Sequence, residues 1–212
     1  MRLYEIWKLI METWGLPPRR DVFNMLMRQY GMPQRHYHTR QHLDECFALW
    51  QQHRSHMENP ALVALALFWH DAVYVPENMD NEESSARQFN TVFLTGGELK
   101  EPEMLSWKVT ARVEALIMGT KGHAASEDNS TRWVNDIDLA ILGATREHYD
   151  AYTAAIRQEY GWIRGGDYNL LRARFMQTFL ERPQIYLTPQ MHYEFEDRAR
   201  KNIARELDAL TA

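Results

Sequence analysis

Residues 61–75, ALVALALFWHDAVYV, constrain this chain more than any other stretch. Thirteen of the fifteen are apolar, and the two exceptions, His70 and Asp71, are adjacent. A helix that is apolar all round belongs in a core. An aspartate in such a place is costly unless it is paired or bound to a metal. Two readings follow: His70 is a satisfied core histidine and Asp71 pairs with a buried arginine, or the two converge on an ion beside the helix. Neighbours on a helix point about 100° apart, which still allows them to share an ion lying between their directions.

The rest of the chain also reads as helical. Alternating Val/Ile/Thr runs are few and there is no Asn-Gly hairpin turn. Helical periodicity fills nearly every segment between Pro and Gly marks. The expected helices span 2–14, 19–30 and 39–53, with Thr39 as N-cap. A fourth starts at Asn59-Pro60, an N-cap followed by proline in the first turn. A fifth opens at Asp80 and ends near Gly96-Gly97, and others fit 101–118, 130–142, 145–161, 168–181 and 189–210. The expectation is an all-α protein: a multi-helix bundle with a metal site in its core. It is read as a single domain over 1–212, in which the helices of 1–34 pack on the remainder.

Composition closes off several function classes. The formal net charge is −5, which gives no footprint for a nucleic-acid duplex as partner. With Cys46 as the lone cysteine, a cysteine-based zinc site and an internal disulfide are excluded. The opening MRLYEIWKLIMETW is interrupted by charge and does not read as a secretory signal. No uncharged apolar run reaches the length of a membrane span, so the expected location is the cytoplasm.

Two further residues favour the metal reading of His70-Asp71. His42 lies four residues before Cys46 and seven before Leu49, on the apolar face of its helix. Asp138 falls within the apolar face formed by Val134, Ile137 and Ile141, whereas Asp136 falls to the side and is expected in solvent. Three helices thus each place a metal-type ligand on a core-facing stripe. Mixed nitrogen and oxygen ligands suit a borderline divalent ion better than calcium. Spacing alone does not select these four from nine histidines and many acids.

The order His…His-Asp…Asp across an all-α chain resembles the HD-domain metal-dependent phosphohydrolases. The blocks that carry the likeness are RHYHTRQHL at 35–43, LFWHDAVY at 67–74, NEESSA at 81–86 and DIDLAILG at 136–143. They are similar to those of a subfamily of small predicted HD phosphohydrolases, over about 35–205. The resemblance implies that His42, His70, Asp71 and Asp138 ligate one divalent ion (Mn, Co, Ni, Fe, Zn or Mg). It implies hydrolysis of a phosphate ester or anhydride, nucleotides among them, by a metal-activated water. The partner is then a small phosphorylated molecule, with no membrane involved. Two alternatives stay open: an HD-fold di-iron oxygenase, which needs a second iron, and a metal-stabilised binding module without turnover.

Other residues enter as candidates. Asp71 can orient the water as well as ligate. Glu82 is the first candidate proton acceptor, since Glu83 has capping-box spacing from Asp80 and Glu82 does not. The alternative for Glu82 is a solvated acid near a helix N-terminus. Ser85 lies on the face of Glu82, and the resembling block places both near the site. His38 is a candidate substrate contact or second-metal ligand, or a partly exposed residue at a helix entrance beside Tyr37. Arg35 and Arg40 are candidate phosphate contacts, since a guanidinium fork donates two bonds at once, or members of a solvated basic turn. His123 resembles the extra histidine of two-metal HD proteins, but the full set is missing. One metal is expected, with Lys121 and His123 near the substrate. His148 and His192 read as surface residues, and Trp69 and Tyr74 as packing. Arg157 either lines a pocket wall or forms a salt bridge among core aromatics.

Overall fold

A computed structural model describes residues 2–93 and 105–211. Among these residues all regular structure is helical and there are no strands, as the sequence pattern predicts. The helices are α1 (Leu3–Thr13), α2 (Arg20–Gln29), α3 (Arg40–His53), α4 (Pro60–Trp69), α5 (Asn81–Phe93), α6 (Trp107–Gly119), α7 (Asn129–Asp138), α8 (Arg146–Glu159), α9 (Gly165–Leu180) and α10 (Pro189–Thr211). The expected end of α5 at Gly96-Gly97 and the first residues of the helix expected over 101–118 lie outside the described residues. Two compact units partition the chain, Met1–Val134 and Asn135–Ala212, and the border falls inside α7. No helix among the described residues is long and apolar enough to cross a membrane.

In the first unit α4 is the core helix, with every residue from Leu62 to Trp69 buried. Burying each Val, Leu or Phe side chain is worth about 1.5–3 kcal/mol. Phe68 meets Phe47 of α3 at 4.2 Å between ring centroids and Trp7 of α1 edge-on at 5.2 Å. Trp69, turned the other way, packs edge-on to Phe89 and Phe93 of α5. The start of α4 is set locally: the Asn59 side chain accepts from the Leu62 N–H at 3.1 Å and Pro60 follows it.

Its end is not set locally. The apolar pattern runs to Val75, but α4 stops at Trp69, so His70 and Asp71 stand in the turn beyond the helix rather than within it. The His70 N–H makes the last helical bond, to the Ala66 carbonyl. The Ala72 N–H then reaches only to Trp69, a tightened turn. Beyond it, backbone groups that would continue the helix are taken by side chains. Arg35 donates to the carbonyls of Asp71 and Ala72, and the Ser85 hydroxyl accepts from the Val73 N–H. Pro76 also disfavours helical geometry at Val75.

In the second unit α7 tightens after Asp138 into a 3-10 turn over Leu139–Gly143, where the periodicity predicts continued α-helix to 142. Helix α10 comes so close to that turn that a Cβ on Gly143 would sit 2.6 Å from the Phe195 Cβ and 2.7 Å from the Phe195 carbonyl oxygen. The expectation that Asp136 lies in solvent is overturned: it is fully buried. Its carboxylate accepts from the Leu187 N–H at 2.8 Å, the Thr188 N–H at 2.6 Å and the Thr188 hydroxyl at 2.7 Å. The 185–188 segment folds over this face of α7. Burial pushes the Asp136 carboxyl up to about 6, against the pull of those three donors.

Candidate metal centre

The two histidines reach the site from opposite ends of their helices. His42 lies in the first turn of α3, behind a Thr39 N-cap whose hydroxyl accepts from the Gln41 N–H. His70 follows the last residue of α4. Both are almost fully buried, and Asp71 is half-buried. His42 Nε2 lies 3.2 Å from His70 Nε2, and His70 Nε2 lies 3.1 Å from Asp71 Oδ2. The third side of the triangle, His42 Nε2 to Asp71 Oδ2, is 3.9 Å. Asp138, the last residue of α7, completes a set of four: each residue offers one ligand atom, and these atoms all lie within 4.8 Å of one another.

These separations fit a shared ion. Ligands about 2.1 Å from one ion and at right angles to each other stand about 3 Å apart. The two shorter distances match that value. The tautomer of His70 also fits. Its Nδ1 lies 3.0 Å from the Leu67 carbonyl oxygen, which only accepts, so Nδ1 carries the proton. The lone pair is then on Nε2, facing His42 and Asp71, the arrangement that histidine ligands ordinarily use. The donor set of two imidazoles and two carboxylates can hold a divalent ion of borderline hardness.

Glu82 lies in the first turn of α5 and is half-buried. Burial pushes its carboxyl above its ordinary value, opposed by its own backbone N–H. The Asp71 charge pushes it up further and Lys121 pulls it down. Glu82 therefore stands within the field of both. Lys121, in the turn after α6, is exposed and donates to the Met79 carbonyl at 3.0 Å and to the Glu83 carboxylate. That ion pair, rather than a capping box with Asp80, is what Glu83 makes. It holds Glu83 low and Lys121 high. His123 follows Gly122, and both take left-handed backbone conformations, φ +50° and +79°.

The other candidates have defined surroundings. Arg35 is buried and donates to three backbone carbonyls, His38 at 3.2 Å, Asp71 at 2.7 Å and Ala72 at 2.9 Å. Ser85 is fully buried; its hydroxyl accepts from the Val73 N–H at 3.0 Å and donates to the Val73 carbonyl at 3.2 Å. Arg40 is exposed and donates to the Met27 carbonyl at the end of α2. The half-buried His38 lays its ring against Tyr74, 4.1 Å between centroids. Arg157 donates to the Tyr160 and Ile163 carbonyls and covers the Tyr168 ring. His192 is exposed beside Glu196.

Two neighbours of the cluster are absent from the sequence reading of the site. The Cys46 thiol lies 3.7 Å from His42 Nε2, and the four-residue spacing on α3 is the signal for it. Tyr30, fully buried at the end of α2, feels the Asp71 charge, and burial drives its hydroxyl well above its ordinary value. No local pattern announces Tyr30, because it arrives from another helix. Compared with protein-family models, curated proteins and solved structures, the chain matches none.

Proposed function

We propose that this protein is a metal-dependent phosphohydrolase acting on a small phosphate ester or anhydride. The observation that carries the reading is the meeting of His42, His70, Asp71 and Asp138, with ligand atoms within 4.8 Å of one another. These four residues would hold the ion. A divalent ion bound there neutralises phosphate charge and lowers the pKa of water.

The chain's own groups supply the rest. Glu82, half-buried in the first turn of α5 and within the field of Asp71, accepts a proton from the attacking water. The new bond joins the water oxygen to phosphorus, and the bond from phosphorus to the leaving oxygen breaks. Lys121, exposed and within the field of Glu82, and His38, half-buried on Tyr74, are the side chains best disposed to meet a substrate phosphate. Arg40 is turned to Met27.

The test is a panel of phosphomonoesters and nucleotides offered to purified protein loaded with Mn²⁺, Co²⁺, Ni²⁺ or Mg²⁺, with bound metal measured on the same sample. Turnover that disappears on chelation and returns with metal supports the reading. Metal bound at one ion per chain with no turnover on any member overturns it.

A further inference from the structure

The turn that bears His70 and Asp71 is held from two sides by side chains remote in sequence. From the segment before α3, the Arg35 guanidinium takes the carbonyls of Asp71 and Ala72. From α5, the Ser85 hydroxyl takes both the N–H and the carbonyl of Val73. Further along, the Asn81 side chain accepts from the Val75 N–H at 2.9 Å and donates to the Val75 carbonyl at 3.0 Å. Arg35 also donates to the His38 carbonyl, four residues before His42. One guanidinium therefore ties the approach to His42 to the turn of Asp71.

The surroundings of Arg35 suit a fixed strut. It is buried, and its charge lies over the faces of Tyr30 at 4.9 Å and Tyr74 at 5.6 Å. Tyr30 in turn donates to the Phe68 carbonyl at 3.3 Å, on the last turn of α4. Both Arg35 Nη atoms already have acceptors, and the Ser85 hydroxyl both donates and accepts. Turning either side chain away toward a phosphate would break these bonds and strand backbone groups in a buried turn, and such stranding is unfavourable.

We propose that Arg35 and Ser85 are positioning residues that hold the His70–Asp71 turn in its ligating geometry and so set metal affinity, and that neither contacts substrate. The proposal rests on the metal-binding reading of the cluster. Groups that orient metal ligands typically change affinity about 10–100-fold when removed.

Titration of metal-free protein with Co²⁺, followed by its visible absorption band, tests this. Arg35→Lys keeps the charge and loses the fork; Ser85→Ala loses both bonds to Val73. Each is expected to weaken Co²⁺ binding about 10–100-fold and to alter the band at saturation. Asn59→Ala removes the cap at the far end of α4 and serves as control: it lowers the melting temperature and leaves Co²⁺ affinity and band unchanged. If Arg35→Lys does not fold, Ser85→Ala carries the test. Folded variants with wild-type Co²⁺ affinity and band overturn the proposal. So does a raised KM for phosphate esters with metal affinity unchanged, the signature of substrate contact. Wild-type protein that takes up no Co²⁺ or other divalent ion overturns the metal-binding reading itself, and the proposal with it.

Discussion

His70 donates its Nδ1–H to the Leu67 carbonyl at 3.0 Å, and that bond decides what the opposite edge of the ring can do. With Nδ1 protonated, a neutral His70 presents a lone pair at Nε2, 3.2 Å from His42 Nε2 and 3.1 Å from Asp71 Oδ2. Three ligand atoms crowd together in a mostly buried space, and a cation there relieves the crowding. Ions that bind only the folded state stabilise it by mass action, by about 2.7 kcal/mol at a hundred times Kd. For a chain of this size that corresponds to a rise of about 5–10 °C in Tm. Mn²⁺ or Co²⁺ is therefore expected to raise Tm by that amount over chelated protein. Asp71→Asn is expected to remove most of the increment, since it replaces a charged ligand with a neutral one. A scan of both proteins with and without metal checks it; equal increments would remove Asp71 from the ligand set.

The core helix was legible because its signal is local. Leu62–Trp69 is a continuous apolar run behind an Asn-Pro start, and no neighbour is needed to read it. Its end was not legible, because Arg35 and Ser85 terminate it from segments distant in sequence. The aspartates of α7 divide the same way. Asp138 sits on the apolar stripe, where periodicity places it. Asp136 leaves that stripe and is buried all the same, because residues 187 and 188 bring three donors to it. Periodicity reports which face meets its own unit's nearest helices; it is silent about a loop that crosses the other face. The ligand set lay between these cases: each residue was readable as core-facing, and their convergence was a tertiary fact.

Asp136 gives a prediction about stability and pH. Its carboxyl is raised from 3.8 to about 6 in the folded protein. A carboxyl raised on folding favours the folded state fully below its unfolded value. That contribution is lost as pH rises through the folded value. In metal-free protein, this group's contribution to stability is expected to fall between about pH 4 and 6, by at most about 1.4 kcal/mol per pH unit. Asp136→Ala is expected to do more harm at every pH, because it strands buried donors of Leu187 and Thr188 at about 1–3 kcal/mol each. Urea titrations from pH 4 to 8 on both proteins check the slope and the offset. A wild-type slope equal to that of the variant would show that Asp136 does not titrate in this window.

Gly143 is fixed by space rather than by backbone angle. A methyl group there meets the Phe195 Cβ at 2.6 Å and the Phe195 backbone within 3.0 Å. Backbone in a helix cannot swing aside as the end of a side chain can. Gly143→Ala is expected to cost about 1–3 kcal/mol, the usual price of overpacking a filled interior. The loss should appear as a lower urea midpoint with an unchanged m-value. A neutral substitution would mean that α10 shifts freely against the 3-10 turn.

Glu82 is the residue whose replacement separates chemistry from metal binding. Its half-buried carboxyl is raised by burial and by the Asp71 charge. As a proton acceptor it works only when ionised, so kcat/KM should be lost as pH falls through its folded pKa. Glu82→Gln keeps the shape and removes the base. It is expected to lower kcat about 10²–10⁴-fold, the usual range for one general base. The same change removes a charge that the fold disfavours, since a raised carboxyl loses its stabilising contribution once ionised. At neutral pH the metal-free variant should therefore melt slightly higher than metal-free wild type, while binding Co²⁺ with unchanged affinity. Slower turnover, a steadier fold and intact metal binding together assign Glu82 to proton transfer. Weakened Co²⁺ binding would instead make it a support of the ligand cluster, and wild-type kcat would leave the proton to another acceptor.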